Sequence, residues 1–517
     1  MKKQNFMKRF VKFVFSRKLI TILLMLIQAV SLILLFIFLQ SKFAVVYVAL
    51  IILSGGIVYH IINKNYNPAF KLAWVIPILV FPIFGGLIYV FFQAQLGIRI
   101  FKKALSDKVL QTSEYLNLDE DIINELKEKD PCICNLALYL NNYGGFPAYK
   151  NSTVTYYESG ESEFSDILNE LENAHHFIFI EYFIINEGKM WNDILDVLKR
   201  KVSEGVDVRV IYDGMGSELL LPDDYEKKLR SCGIKCNIFN KLKPFLSTSQ
   251  NNRDHRKILV IDGHTAFTGG INIGDEYINL IERFGYWKDN AVMVKGDAVW
   301  NFTIMFLQIW ELIDNSTDDY LLYTPHTHHA EEFESDGYII PFGDNPIDYE
   351  NVGECVYLNI INTAKKYVYI TTPYLILDDR LFIALTFAAK RGVDVRIIVP
   401  NTPDKWYIML ISQSFFKDLI ASGVKIYRYN PGFIHAKTFL ADDEVSVCGS
   451  INLDYRSLYL HFECATLMYK CSCITEIKKD YEEIIKKSHL VTIAEAEEIG
   501  FINSIFTTFL RLISPLL

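Results

Sequence analysis

One short frame occurs twice in this chain. The first copy reads His255-Arg256-Lys257, then Asp262, Gly269-Gly270 and Asn272; the second reads His435-Ala436-Lys437, then Asp442, Gly449-Ser450 and Asn452. In both copies the Asn follows its His by 17 residues, with no slip in between. A lone His-x-Lys pair carries little information. The same frame held twice marks an internal repeat and requires a chain built from two similar halves.

The flanks of the two frames repeat as well. In the first half an apolar strand, Phe177–Tyr182, precedes a helix from about Trp191 to Val202. A turn and buried strand over Glu204–Asp213, a helix ending near Arg230 and a strand over Gly233–Phe239 lead to the first motif. The second half runs through Tyr367–Thr371, a helix over about Arg380–Lys390, Arg391–Pro400 and Gly423–Tyr427 to the second motif. Strands alternating with helices predict α/β units around a buried, largely parallel or mixed sheet. Two such units, 151–325 and 326–490, are expected to pack face to face about a pseudo-twofold axis and so bring the motifs together. The polar stretch Asp314–Gly337, with His326, His328 and His329, reads as a solvated linker rather than a metal site.

The chemistry follows from side-chain direction. His255 and Lys257, like His435 and Lys437, are two residues apart on an extended segment and point the same way. Each half therefore offers an imidazole beside an ammonium. Asn272 and Asn452 add neutral donors, and the turns at Gly270 and Ser450 let backbone come close to a ligand. Lysine and asparagine twice over suit the non-bridging oxygens of a phosphodiester. Cleaving that diester needs a nucleophile and a proton for the leaving oxygen, which two imidazoles supply between them. An imidazole in that role is held by a carboxylate. The candidates are Asp289, 34 residues after His255 in the first half, and Glu463, 28 after His435 in the second. Asp262 and Asp442 complete the motifs on the opposite strand parity, where they are expected to brace local structure more than touch substrate.

The N-terminal end is of another kind. Runs 19–39, 43–62 and 72–92 are uncharged, apolar and about as long as a bilayer crossing requires. A signal peptide explains one run, not three, so 1–98 reads as a multi-pass cell-membrane anchor of two or three segments. Lys2 to Lys18 favour a cytoplasmic N-terminus. Pro77, Pro82 and Gly85-Gly86 interrupt the third run, which leaves a re-entrant segment and either side for the body open. Residues 99–150 read as a connector that opens on an interfacial or solvated helix, and 491–517 as an apolar or amphipathic helix. The first 106 residues hold 13 of the 52 Lys/Arg and no acid, which leaves 39 against all 61 acids beyond them, a net of −22. An acidic body argues against nucleic acid as partner. The nine cysteines fit neither a disulfide framework nor a zinc module.

These motifs resemble those of the phospholipase D superfamily over about residues 150–485. Ala73-Trp74, Gly270–Tyr277, Ser450–Ser457 and the apolar C-terminus make the chain similar to bacterial cardiolipin synthases. It departs from them in its third N-terminal run and in His461, where those enzymes often carry Asn. The resemblance implies two α/β sandwich halves behind transmembrane helices. It also implies transfer of a phosphatidyl group between two phosphatidylglycerol molecules through a phosphohistidine, giving cardiolipin and glycerol. His255 is favoured as nucleophile and His435 as acid and then base, with no metal or cofactor required. Water or another alcohol as acceptor remains the alternative, and oligomeric state is left open.

Overall fold

The computed structural model describes residues 44–65, 67–81, 96–241, 251–498 and 501–516, save single positions 219, 331 and 349, together with isolated residues between 26 and 90. Lys102–Phe239 and Arg253–Leu510 form one compact unit, and Met1–Phe101 with Asn240–Asn252 and Arg511–Leu517 a second.

The larger unit contains both halves. The first sheet runs, edge to edge, Ser152–Tyr157, Ala291–Gly296, Thr265–Gly269, Lys257–Ile261, Phe177–Tyr182, Asp207–Asp213 and Lys235–Phe239. The second runs Tyr338–Asp344, Glu463–Tyr469, Val445–Gly449, Thr438–Ala441, Tyr367–Thr371, Asp394–Pro400 and Lys425–Tyr429, with Ser488–Leu490 added at the far edge. The two orders are identical strand for strand apart from that addition. In each, three strands are parallel and the motif strand pairs antiparallel to the first of them. The sheets therefore have the mixed character expected for central strands buried on both faces.

Local sequence explains the repetition. The helix Lys189–Ser203 buries Trp191, Ile194, Leu195 and Leu198, the stripe of a helix that packs on a sheet. Gly205 and Gly392 sit at equivalent points, just past a helix and before a parallel strand, with φ of +95° and +97°. That left-handed position closes a helix and favours glycine. Strand Thr265–Gly269 lies against Val445–Gly449 and Glu463–Tyr469 of the other half, so the two motifs meet at the seam between the sheets.

Several expectations change. The segment 314–337 is not merely solvated: Asp318 makes a paired salt bridge to Arg209 at 2.8 Å, and His328 stacks on His176 at 3.9 Å. It packs on the first half, beyond the expected boundary at 325/326. His326 instead reaches Asp297 at 2.9 Å, and the three histidines of this segment do not form a metal cluster among the described residues. The connector is helical over Leu96–Thr112, Glu120–Lys129 and Pro131–Tyr139. The end of its first helix docks on the buried helix Val299–Asp314, through Lys108 to Glu311 at 2.6 Å and Gln308 to Thr112 at 2.7 Å.

In the smaller unit the second apolar run forms the helix Ala44–Ile62. The third does not form one continuous helix. A helix starts earlier, at Pro68 behind the Asn67 cap, and stops at Val80, just past Pro77. Ile57, Ile61, Ile78 and Tyr89 pack together here, with Trp74 edge-on to Tyr89. No helix among the described residues is long and apolar enough to cross a membrane. Most of the first run and part of the third lie outside those residues.

Candidate active site

Each histidine is fixed by the half to which it does not belong. The His255 N–H donates to Phe462 C=O at 2.9 Å, and the His435 N–H to Lys288 C=O at 2.7 Å. Short parallel pairings stand behind these bonds: Asp254 beside Phe462, and Gly432–Ile434 beside Tyr286–Lys288. The next residue after Phe462 is Glu463, and the next after Lys288 is Asp289. His255 Nδ1 accordingly lies 3.0 and 2.9 Å from the two Glu463 oxygens, and His435 Nδ1 lies 2.7 Å from Asp289 Oδ2. Sequence distance ties each carboxylate to the histidine of its own half; the fold crosses them over.

The crossing is symmetric. Gly269 pairs with Ala291 and Gly449 with Ala465, which puts Asp289 and Glu463, each two residues earlier, at equivalent places. The unequal spacings, 34 and 28, reflect a longer loop in the first half. Both carboxylates are fully buried.

The positions Gly270 and Ser450 serve these carboxylates, a correction to their expected place beside a phosphate. A Cβ on Gly270 would come within 2.0 Å of Asp289 Oδ1, so only glycine admits that carboxylate. Ser450 Oγ donates to Glu463 Oε2 and accepts from Cys464 N–H at 3.0 Å. Asp262 and Asp442 are likewise not in the catalytic cluster. Each sits in the left-handed region at a hairpin turn, at the far end of its motif strand, on the order of 20 Å along the chain from the histidine. Asp262 accepts from the N–H groups of His175, His176 and Phe177 at 2.7–2.8 Å, and Asp442 from Lys365, Lys366 and Tyr367 at 2.6–2.9 Å. They tie the motif strand to the start of its neighbour.

Lys257 and Lys437 are buried beside the imidazoles. Lys257 Nζ donates to His255 C=O at 2.6 Å, and Lys437 Nζ to His435 C=O. Among the described residues neither lysine has a carboxylate within 4.0 Å. Burial brings Lys257 down to about 8 and Lys437 to about 7, with nearby carboxylates opposing the shift. Burial, and then the charges of Lys257 and Lys437, push His255 well below its ordinary value; His435 also acts on it, which places the two rings in one electrostatic site. Burial and then Lys437 bring His435 to about 4, against the pull of Asp289. The site thus holds neutral imidazoles under two ammonium groups that lack a close counter-ion, an arrangement suited to an anion.

Asn272 and Asn452 lie at the same seam. Asn272 accepts from Ile184 N–H and donates to Tyr277 Oη at 3.0 Å; Asn452 donates to Ser457 Oγ at 3.1 Å. Each amide nitrogen has a second proton for a ligand. Aromatic walls that the motifs do not mark line the site: Phe183 lies 4.9 Å from the His255 ring and Trp287 5.3 Å from His435. Arg253, likewise outside the motif, has its Nε 3.2 Å from Asp213 and braces the segment ahead of His255. Arg253 falls two residues before the motif, and Phe183 just past a predicted strand; position was the available signal.

A doubled α/β sandwich with paired His-Lys motifs at its seam is a phospholipase D-superfamily architecture. Residues 167–306 and 357–486 match the family described as "Cardiolipin synthase, PLD-like domain", and residues 48–93 match "Phospholipase_D-nuclease N-terminal". The chain belongs to the cardiolipin synthase family. It is 34% identical over 489 residues to a cardiolipin synthase of Alkalihalophilus pseudofirmus, covering 93% of this chain and 95% of that one. To an uncharacterized protein of Streptococcus mutans it is 47% identical, covering 89% of this chain and all of the other. The crystal structure of phosphatidylserine synthase from Haemophilus influenzae shares the fold, with a TM-score of 0.56 at 17% identity over 74% of this chain and 99% of that one.

Proposed function

We propose that the chain is a membrane-anchored phosphatidyltransferase that makes cardiolipin from two molecules of phosphatidylglycerol. The observation that carries this reading is the convergence of two carboxylate-held imidazoles and two buried lysines on one seam. His255 Nε2 attacks phosphorus while Nδ1–H stays on Glu463. The P–O bond to glycerol breaks, and His435, which takes up a second proton on Nε2 when the anionic diester binds beside it, delivers that proton to the departing oxygen while its Nδ1–H stays on Asp289. A second phosphatidylglycerol then gives up its terminal hydroxyl proton to His435, and its oxygen displaces His255. Lys257, Lys437, Asn272 and Asn452 hold the non-bridging oxygens. His255 is the better nucleophile because burial and both lysines push it well below its ordinary value, whereas at His435 the Asp289 carboxylate opposes the fall. The bound diester's negative charge adds to that opposition.

The apolar runs 19–39, 43–62 and 72–92 and the N-terminal family match at 48–93 support an anchor in the cell membrane. Purified full-length protein given labelled phosphatidylglycerol is expected to release cardiolipin and glycerol in equal amounts. Phosphatidic acid as the main product would replace this reading with a hydrolase, and a phosphatidyl adduct of another added alcohol would redefine the acceptor.

The lysines set the pH dependence. They bind substrate when protonated, so their contribution is present at low pH and is lost as pH rises through about 7 for Lys437 and about 8 for Lys257. The acid side is limited by protonation of the nucleophile His255, which burial and the two lysines hold well below its ordinary value. The profile of kcat/KM is therefore expected to fall between pH 7 and 8. In Lys437→Arg, whose guanidinium keeps its charge, the alkaline limb moves up even if overall rate drops. An unmoved limb would remove Lys437 from the titration.

A further inference from the structure

A third imidazole lies in the same site without a role in phosphoryl transfer. His461 is buried, its ring 5.5 Å from that of His255; its Nδ1 faces the Glu463 carboxylate at 3.7 Å, beyond a normal hydrogen bond, and its Nε2 has no hydrogen-bond partner among the described residues. A buried ring nitrogen left without a partner is unfavourable, so the fold holds this imidazole ready for a group that it does not itself supply. Glu463 Oε1 is shared between the two rings, 3.0 Å from His255 Nδ1 and 3.7 Å from His461 Nδ1. One donor atom from each of His255, His461 and Glu463 lies within 4.8 Å of the others, and all three residues are buried.

We propose that His255, His461 and Glu463 form a binding site for a borderline divalent transition cation, Zn²⁺ above all, and that its occupancy switches transfer off. Two imidazoles and a carboxylate are a common zinc donor set, which leaves a fourth position for water. Tetrahedral zinc holds its donors roughly 3.4 Å apart, so the present separation closes with small rotations of the two rings and the carboxylate. Neutral imidazoles bind without net loss of a proton. If His255 presents Nδ1 to the metal, its single ring proton moves to Nε2; if it presents Nε2, that lone pair is taken directly. In either case no lone pair remains on Nε2 for attack on phosphorus. The inhibitory half of this proposal rests on His255 as the nucleophile; the binding half does not.

The test separates the two. Equilibrium dialysis of the full-length protein against Zn²⁺ alone, with Co²⁺ as a spectroscopic substitute, measures binding without any turnover. We expect one site whose affinity falls about tenfold or more in His461→Asn and in His461→Gln, since losing a direct ligand costs at least as much as losing an outer partner of one. The Co²⁺ band of the wild type should weaken with it. Unchanged affinity and spectrum in both variants would overturn the site. In the transfer assay, the Zn²⁺ concentration for half-inhibition should rise by the same factor in these variants. Zinc bound at this site with full turnover would overturn the switch, and failure to form cardiolipin without metal would instead strike the catalytic reading.

Discussion

His255→Ala is expected to lower phosphatidyl transfer by roughly 10⁴-fold or more, the scale of losing a group that acts as part of a unit. His435→Ala is expected to lose less, about 10²–10⁴-fold, as for a general acid. Rates with the natural donor alone do not separate the roles, because both steps need both rings. A donor carrying p-nitrophenol in place of glycerol does, since that leaving group departs without a proton. With it, His435→Ala should still attack through His255 and release one equivalent of p-nitrophenol per site. It should then stall as the phosphatidyl-histidine, because the base that activates the incoming hydroxyl is gone. His255→Ala should give no burst. The reverse pattern would exchange the two assignments, and a burst in both variants would leave neither ring as the sole nucleophile. The geometry favours the stated order: Glu463 meets His255 Nδ1 with both oxygens, and burial with two lysines keeps that ring unprotonated.

What the sequence made legible followed from repetition and periodicity. The strand Tyr367–Thr371 falls where its apolar run places it, and Arg391–Pro400 matches Glu204–Asp213 because both are a glycine turn followed by a buried strand. The identical strand order of the two sheets is the structural form of the doubled motif. Asp262 and Asp442 were legible as braces from strand parity, although the amides they hold, some 85 and 75 residues back at Phe177 and Tyr367, were not. The pairing of carboxylate to histidine was invisible for the same reason. Spacing along a chain says which groups share a half, whereas backbone bonds between halves decide which groups touch. Gly270 and Ser450 were misplaced because a small residue near a motif signals close approach without saying to what; here the approaching group is a carboxylate. In the N-terminal region composition gave the apolar runs but not their ends, and the helix that begins at Asn67-Pro68 follows capping and proline geometry rather than hydropathy.

The crossed carboxylates make the second large effect directional. Glu463→Gln keeps shape but loses the acceptor that fixes His255 with its proton on Nδ1, so the nucleophile is presented in the wrong tautomer for part of the time. Transfer should fall by about 10³–10⁴-fold, as removing the charge behind a catalytic imidazole does elsewhere. Asp289→Asn should do the same to His435. With the p-nitrophenyl donor the two variants part company. Asp289→Asn should keep its burst and lose turnover, as His435→Ala does, while Glu463→Gln should lose the burst, as His255→Ala does. A protein in which each half were self-contained would give the opposite pairing, because Glu463 would then serve His435. Double variants sharpen the comparison. His255→Ala with Glu463→Gln should be little worse than His255→Ala alone, since both remove one function, whereas the carboxylate of an independent site would add its own loss. That result would show in solution what the bonds from His255 to Phe462 and from His435 to Lys288 impose in the fold: neither half contains a complete catalytic group, so one half could not turn over without the other.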